Sequence, residues 1–306
     1  TMGNQPSSPR GVTLSTMGNQ PSSPLWDPYP TSTYTHESLR AKLVEIQRQS
    51  AEISPGTKFR IVVCACAKDG KSSSINNILS ALEGEYTQAA NVGSQRHHVT
   101  QKYIEYKMLI GEAQDTSYVL CDTPGLRDGI SEDEQHAQTE AINAAIMGKF
   151  QSTEEVNFKQ LKAQDLEEKN IKEQRAVCVI FVIDARKVLN GVIETSHAFQ
   201  SMKAILEFAQ NKNMAVSCLL TNCDEVDTDV KKDMTKIYSS LTIEQARQKL
   251  EKMFYGFPGN RIFPIVNYTE ILDVNHGMMV QSLFALKHIM SDIHSKLRRT
   301  VSASIS

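Results

Sequence analysis

The sequence predicts an α/β fold built on a mostly parallel, six-stranded sheet with helices on both faces. Three observations carry this. Six apolar runs alternate with helical periods from Thr57 towards the C-terminus, as layered α/β folds require. Runs such as AVCVIFVI at 176–183 are apolar without alternation, the mark of strands covered on both faces. The first run passes through a short loop ending in Gly70-Lys71-Ser72 directly into a helical stripe.

The nonapeptide TMGNQPSSP stands at residues 1–9 and again at 16–24. Two short copies rich in Pro, Ser, Gly and Asn bury no core, so 1–35 is expected to be a disordered low-complexity tail. From His36 the pattern changes: Leu39, Leu43 and Ile46 line one face of a leading helix over 36–56, which Pro55-Gly56 stops. The main domain spans 57–298. Strands are expected at Phe59–Ala65, Lys102–Ile110, Ser117–Asp122, Ala176–Asp184, Ala215–Thr221 and Arg261–Val266. The second mixes polar and apolar positions in YIEYKML and reads as an exposed edge. Ile75, Ile78, Leu79 and Leu82 follow helical spacing after the first strand. Thr242 and Gln245 resemble a capping box, and Leu283, Leu286, Met290, Ile293 and Leu297 stripe the last helix. Residues 299–306 read as a flexible C-terminus. The charged stretch 148–175 reads as a solvated helix or a mobile insertion, with a partner-binding segment as the alternative.

Lys and Arg total 33 against 35 Asp and Glu, a formal net charge of -2. Such balance gives no general electrostatic drive towards nucleic acid or an anionic membrane, so neither is an expected partner. There is no apolar run of membrane-spanning length, no basic-then-apolar leader at the N-terminus and no prenylation box in the terminal SASIS. A soluble, intracellular, cytoplasmic protein is expected. Of the cysteines, Cys64, Cys66, Cys121, Cys178 and Cys218 fall in or at the ends of strand-like runs and Cys223 follows one. Their spacing suits neither a disulfide framework nor a zinc ribbon, and buried thiols are the expectation.

The loop after the first strand matches G-x-x-x-x-G-K-[ST] except that Ala65 stands at the first glycine. Alanine serves there provided its φ is negative. A phosphate cradle needs a sharp strand-to-helix turn, inward N–H groups, a lysine on the β- and γ-phosphates and a hydroxyl on Mg²⁺. Lys68, Asp69, Gly70, Lys71, Ser72 and Ser73 are the candidate phosphate residues, with Ser72 as the metal hydroxyl. Asp122-Thr123-Pro124-Gly125 then ends the third strand. There Asp122 can reach Mg²⁺ through water and the Gly125 N–H can meet a γ-phosphate. Thr100 offers a loop hydroxyl to complete the metal shell, with Ser94 and Thr87 as nearby alternatives. Lys71 and Thr100 are the catalytic candidates. His97-His98 reads as a solvated pair rather than a metal site. The fifth strand ends in Thr221-Asn222-Cys223-Asp224, similar to the guanine-reading N-K-x-D or T-K-x-D pattern, although Asp224 as a helix cap is the plainer alternative. A carboxylate at Asp224 accepts both the N1–H and the 2-amino hydrogens of guanine, a pairing adenine lacks, which argues for GTP over ATP. Asn222 replaces the lysine whose stem covers the base.

Through GKSSSINNI, VGSQRHHVTQKYIEY, LCDTPGL, LLTNCDEVD and IFPIVNYTE the chain resembles the interferon-induced protein 44 and 44-like family of GTPase-related proteins over about residues 26 to 298. The resemblance implies a Ras-like P-loop G domain whose second strand runs antiparallel, a GTP/GDP and Mg²⁺ site, and a role in interferon-linked innate immune or antiviral responses. It also implies that Asn267 and Tyr268 lie beside the guanine. Leu126 stands where Ras-like proteins carry the glutamine that orients the attacking water, so slow intrinsic hydrolysis is expected, with a protein partner or a second copy supplying the missing group. Arg127 and Asp128 follow it and read as a solvated pair. A scaffold that has kept the fold without turnover, and a P-loop ATPase or kinase of another type, are the alternatives.

Overall fold

The structure is a computed structural model and describes residues 34–90, 103–111, 117–150, 175–254, 257–267 and 275–305. The tail repeat, the Thr100 and His97-His98 loop, Tyr268 and most of the charged insertion lie outside these residues.

In chain order the elements are α1 (His36–Ile53), β1 (Phe59–Ala65), α2 (Lys71–Glu83), β2 (Ile104–Lys107), β3 (Tyr118–Asp122), α3 (Glu132–Ile146), β4 (Ala176–Asp184), α4 (Ala185–Leu189), α5 (His197–Asn211), β5 (Ala215–Thr221), α6 (Cys223–Val226), α7 (Thr228–Lys232), α8 (Leu241–Met253), β6 (Ile262–Pro264) and α9 (His276–Ile305). They build one six-stranded sheet in the order β2-β3-β1-β4-β5-β6. Only β2 is antiparallel, pairing Ile104 with Asp122; the other strands run parallel. β1, β3 and β5 are buried at every position, as their unbroken apolar runs require, whereas the described residues of β2 are half-buried to exposed.

Helices α1, α2 and α9 pack together over one face, and α3 and α5 over the other. α1 starts at a reciprocal cap, Thr35 with Ser38, and buries Leu39 and Leu43. Its Ser50 hydroxyl shares hydrogen bonds with the Tyr118 hydroxyl of β3 (2.9 Å) and with His294 Nδ1 of α9 (3.3 Å). The chain leaves β1 for β2 and β3 on one side of the sheet and crosses to β4, β5 and β6 on the other. The crevice at the carboxyl ends of β1, β3 and β4 is therefore the switch point where α/β folds place ligands.

Four expectations need adjustment. The second strand, expected over Lys102–Ile110, spans only Ile104–Lys107. α8 starts at Leu241, capped by Ser240, whose hydroxyl accepts from the Ile243 N–H (3.2 Å), so Thr242 and Gln245 form no capping box. The last strand is three residues long because only Cys218–Leu220 of β5 lie alongside it. α9 continues through 299–305 as helix. All six cysteines are buried and unpaired.

Candidate functional site

The loop between β1 and α2 begins without strain. Ala65 remains in β1 and is not among the positive-φ residues, so the missing first glycine leaves the backbone relaxed. Its carbonyl accepts from the Leu126 N–H (2.9 Å), and the Ala67 N–H donates to the Leu126 carbonyl (2.7 Å). This parallel bridge of Cys66 with Leu126 stitches the phosphate loop to the segment after β3. Gly125 lies directly over the loop: a Cβ there would stand 3.4 Å from the Ala67 Cα. The turn then closes with the Asp69 N–H on the Cys66 carbonyl (3.2 Å). Gly70, at φ 86, sits in the left-handed region, and a side chain there would strike Asn267 Nδ2 at 2.7 Å. Both facts demand glycine.

Gly70 provides no side-chain cap for α2. The first-turn N–H groups of this 13-residue helix, at Lys71, Ser72 and Ser73, have no intrahelical acceptor, and the helix dipole favours negative charge at that end. Lys71 and Asp122 are buried and paired at the same place.

Behind the loop lies a second layer. Asp69 is fully buried; one carboxylate oxygen pairs with Lys187 Nζ of α4 and the other has no hydrogen-bond partner among the described residues. Burial lifts its carboxyl to about 7, against the opposing pull of Lys187. Burial also pulls the Lys187 ammonium down, but the neighbouring Asp69 charge overrides this and leaves it above its ordinary value. Thr221 is likewise buried, and its hydroxyl donates to the carbonyls of Asp69 (2.8 Å) and Ile183 (3.2 Å). Asn267 bonds Gly70 O through Nδ2 (3.3 Å), while its Oδ1 accepts from Asn77 (3.0 Å) and Ser74 (3.3 Å).

At the β5 end, Asn222 takes left-handed φ and leads into α6 without a side-chain cap, and Asp224 lies inside the first turn rather than at the N-cap position. Burial lifts the Asp224 carboxyl above its usual value. Asp184, at the end of β4, is held by the Arg186 guanidinium (2.6 Å), and Arg186 lies within the field of Asp224. Beyond Leu126, the Arg127 N–H donates to Gln138 (3.0 Å), and Asp128 accepts from the Ser196 hydroxyl (2.9 Å) and the Ala198 N–H (3.0 Å) at the start of α5. Asp128 is thus anchored rather than solvated.

Residues 60–222, just over half the chain, match the profile of the 50S ribosome-binding GTPase family. The chain belongs to this GTPase family. Human (Homo sapiens) interferon-induced protein 44 is 26% identical over 239 residues, covering 76% of this chain and 52% of that protein. Human interferon-induced protein 44-like is 24% identical over 241 residues, covering 76% and 51%. The chain spans about half the length of the curated relatives it matches. Among solved structures, a probable GTP-binding protein engB has a TM-score of 0.42 at 11% identity, covering 77% of this chain and 98% of that one.

Within the GTPase domain, Gly70, Lys71, Ser72, Ser73, Asp122 and Gly125 come together at the carboxyl ends of β1 and β3. Asp224 and Asn222 stand at the same sheet edge, at the end of β5. Thr221 and Asn267, read from the sequence as nucleotide residues, direct their hydrogen bonds into the loop scaffold. Lys187, Arg186, Ser74 and Asn77 were not among the sequence candidates. The one signal was the charged Asp184-Ala185-Arg186-Lys187 step at the end of the most apolar run.

Proposed function

We propose that this GTPase-family domain is a GTP-binding switch with slow or partner-stimulated hydrolysis, acting in an interferon-linked innate immune response and working with a protein partner or a second copy. One observation carries the reading: the uncapped N-terminus of α2, with the Lys71–Asp122 pair held against it, makes an N–H-rich cradle with a lysine in reach at the sheet's switch point. Terminal phosphates of the nucleotide would take the first-turn N–H groups and draw Lys71 from Asp122. Asp224 would pair with the guanine edge.

Ser72 hydroxyl and Asp122 carboxylate form an all-oxygen donor pair beside the cradle, which fits Mg²⁺, an ion that keeps much of its shell as water and phosphate oxygen. Mg²⁺ there would neutralise charge on the β- and γ-phosphates. Thr100 is proposed as the further hydroxyl. Leu126 supplies no polar group to a water and both its backbone groups are tied to the loop, which supports slow hydrolysis. The interferon link rests on the relatives' names. The loss of the base-covering lysine at Asn222 favours a second reading, a scaffold without turnover.

Mant-labelled GTP titration decides between them. A fluorescence change that in wild type is competed by GTP and not by ATP, and that is lost in both Lys71→Ala and Asp224→Ala, is expected. Equal weak changes in wild type and Lys71→Ala would point to the scaffold instead.

A further inference from the structure

Among the described non-glycine residues, three have positive φ: Asn213, Asn222 and Lys68. Asparagine adopts the left-handed region several times more readily than lysine, for which it is uncommon and costly. Lys68 stands at φ 69, the third position of the turn closed by the Asp69 N–H on the Cys66 carbonyl. That is the type II position where glycine belongs. Glycine would relax the turn, yet the chain holds a long cation there. The strain lies on the phosphate loop itself, which is where an observed backbone outlier points to function.

The Lys68 side chain is exposed and its ammonium has neither hydrogen bond nor ion pair among the described residues. The other two lysines at the loop are committed, Lys71 to Asp122 and Lys187 to Asp69. Meanwhile Leu126 brings no polar group to the reacting centre. Position 126 thus offers no water-orienting side chain, and a cation without a partner among the described residues stands two residues before Gly70, beside the place of the β- and γ-phosphates.

We propose that Lys68 is a catalytic cation supplied in cis, which stabilises the oxygen bridging the β- and γ-phosphates as it takes up charge. The inference rests on the GTP reading above. The water oxygen bonds to the γ-phosphorus, the phosphorus bond to the bridging oxygen breaks, and that electron pair leaves with GDP. The protons of the water pass to the phosphate product and solvent. Lys68 keeps its proton throughout and donates a hydrogen bond to the bridging oxygen, the role an arginine finger plays elsewhere.

The test compares the full chain with Lys68→Gly and Lys68→Arg in mant-GDP binding, melting temperature and single-turnover GTP hydrolysis. Lys68→Gly is expected to melt at or above the wild-type temperature and to bind mant-GDP within about threefold, because the amides and Lys71 remain. Its hydrolysis is expected to fall on the order of 100-fold, as when one preorganised donor to a developing charge is removed. Lys68→Arg is expected to keep most of the rate. Hydrolysis equal in wild type and Lys68→Gly overturns the proposal, as does a wild type that binds GTP without hydrolysing it. A wild type that binds no guanine nucleotide fails at the earlier step and overturns the GTP reading itself.

Discussion

Asp69 is a carboxyl in a place where the loop pattern calls for nothing ionisable. Buried to 0% exposure, with one oxygen on Lys187 and the other without a hydrogen-bond partner among the described residues, it holds its proton up to about 7. An unfolded chain releases the same proton at about 4. Unfolding therefore releases a proton between these values, and the contribution of Asp69 to stability falls as pH rises through that window and levels off above it. Asp69→Asn is expected to melt like wild type at pH near 4 and above it at pH 8, since Lys187 at 33% exposure can turn to solvent. Thermal denaturation of the nucleotide-free protein at the two pH values measures this. A variant that gains at acid pH and loses at alkaline pH would contradict it. Gly70, Lys71, Asp122 and Asp224 could be found in the sequence because each belongs to a pattern a few residues long. Asp69 could not be understood that way: its partner lies 118 residues along the chain.

The same contrast holds for elements. β1, β4 and β5 end where the sequence places them, because continuous apolar runs stop at charged or turn-forming residues. β6 is shorter than its apolar run, since pairing partners on β5 and not composition set its length. α8 begins earlier than its Thr-x-x-Gln pattern suggests, because Ser240 lies next to the first turn and caps it. The junction of α2 with the segment after β6 is the element-scale feature most exposed to test. Asn267 joins Gly70, Ser74 and Asn77 there, 189 to 197 residues apart along the chain when the Asn77 bond to Val266 is included. Asn267→Ala is expected to cost about 1–3 kcal/mol in stability, the range for buried polar groups left unpaired. It should also weaken mant-GDP binding, because Gly70 loses its outer support. Urea denaturation and the same titration read the two effects, and an unchanged affinity would show that the loop keeps its form unaided.

Across the whole molecule, α1 ties separate parts of the fold together. His36 Nε2 donates to Ala81 O of α2 (2.7 Å), Ser50 meets β3 and α9, and Leu39 and Leu43 fill the space between. The leading helix belongs to the core of the GTPase domain rather than to a tail. Leu43→Ala is expected to lower stability by about 2–5 kcal/mol, the range for truncating a buried leucine. Urea unfolding measures it, and a loss below that range would mean that α1 packs as an appendage. The six buried thiols extend the point. Cys66 and Cys223 sit at the edge of the sheet that carries the candidate site, while Cys178 lies near the start of β4, at the far end of the sheet. An alkylating reagent reaches any of them only when the structure around it opens, so the chain carries its own stopwatches at both ends of the sheet, and a ligand that locks one end slows the clock there first.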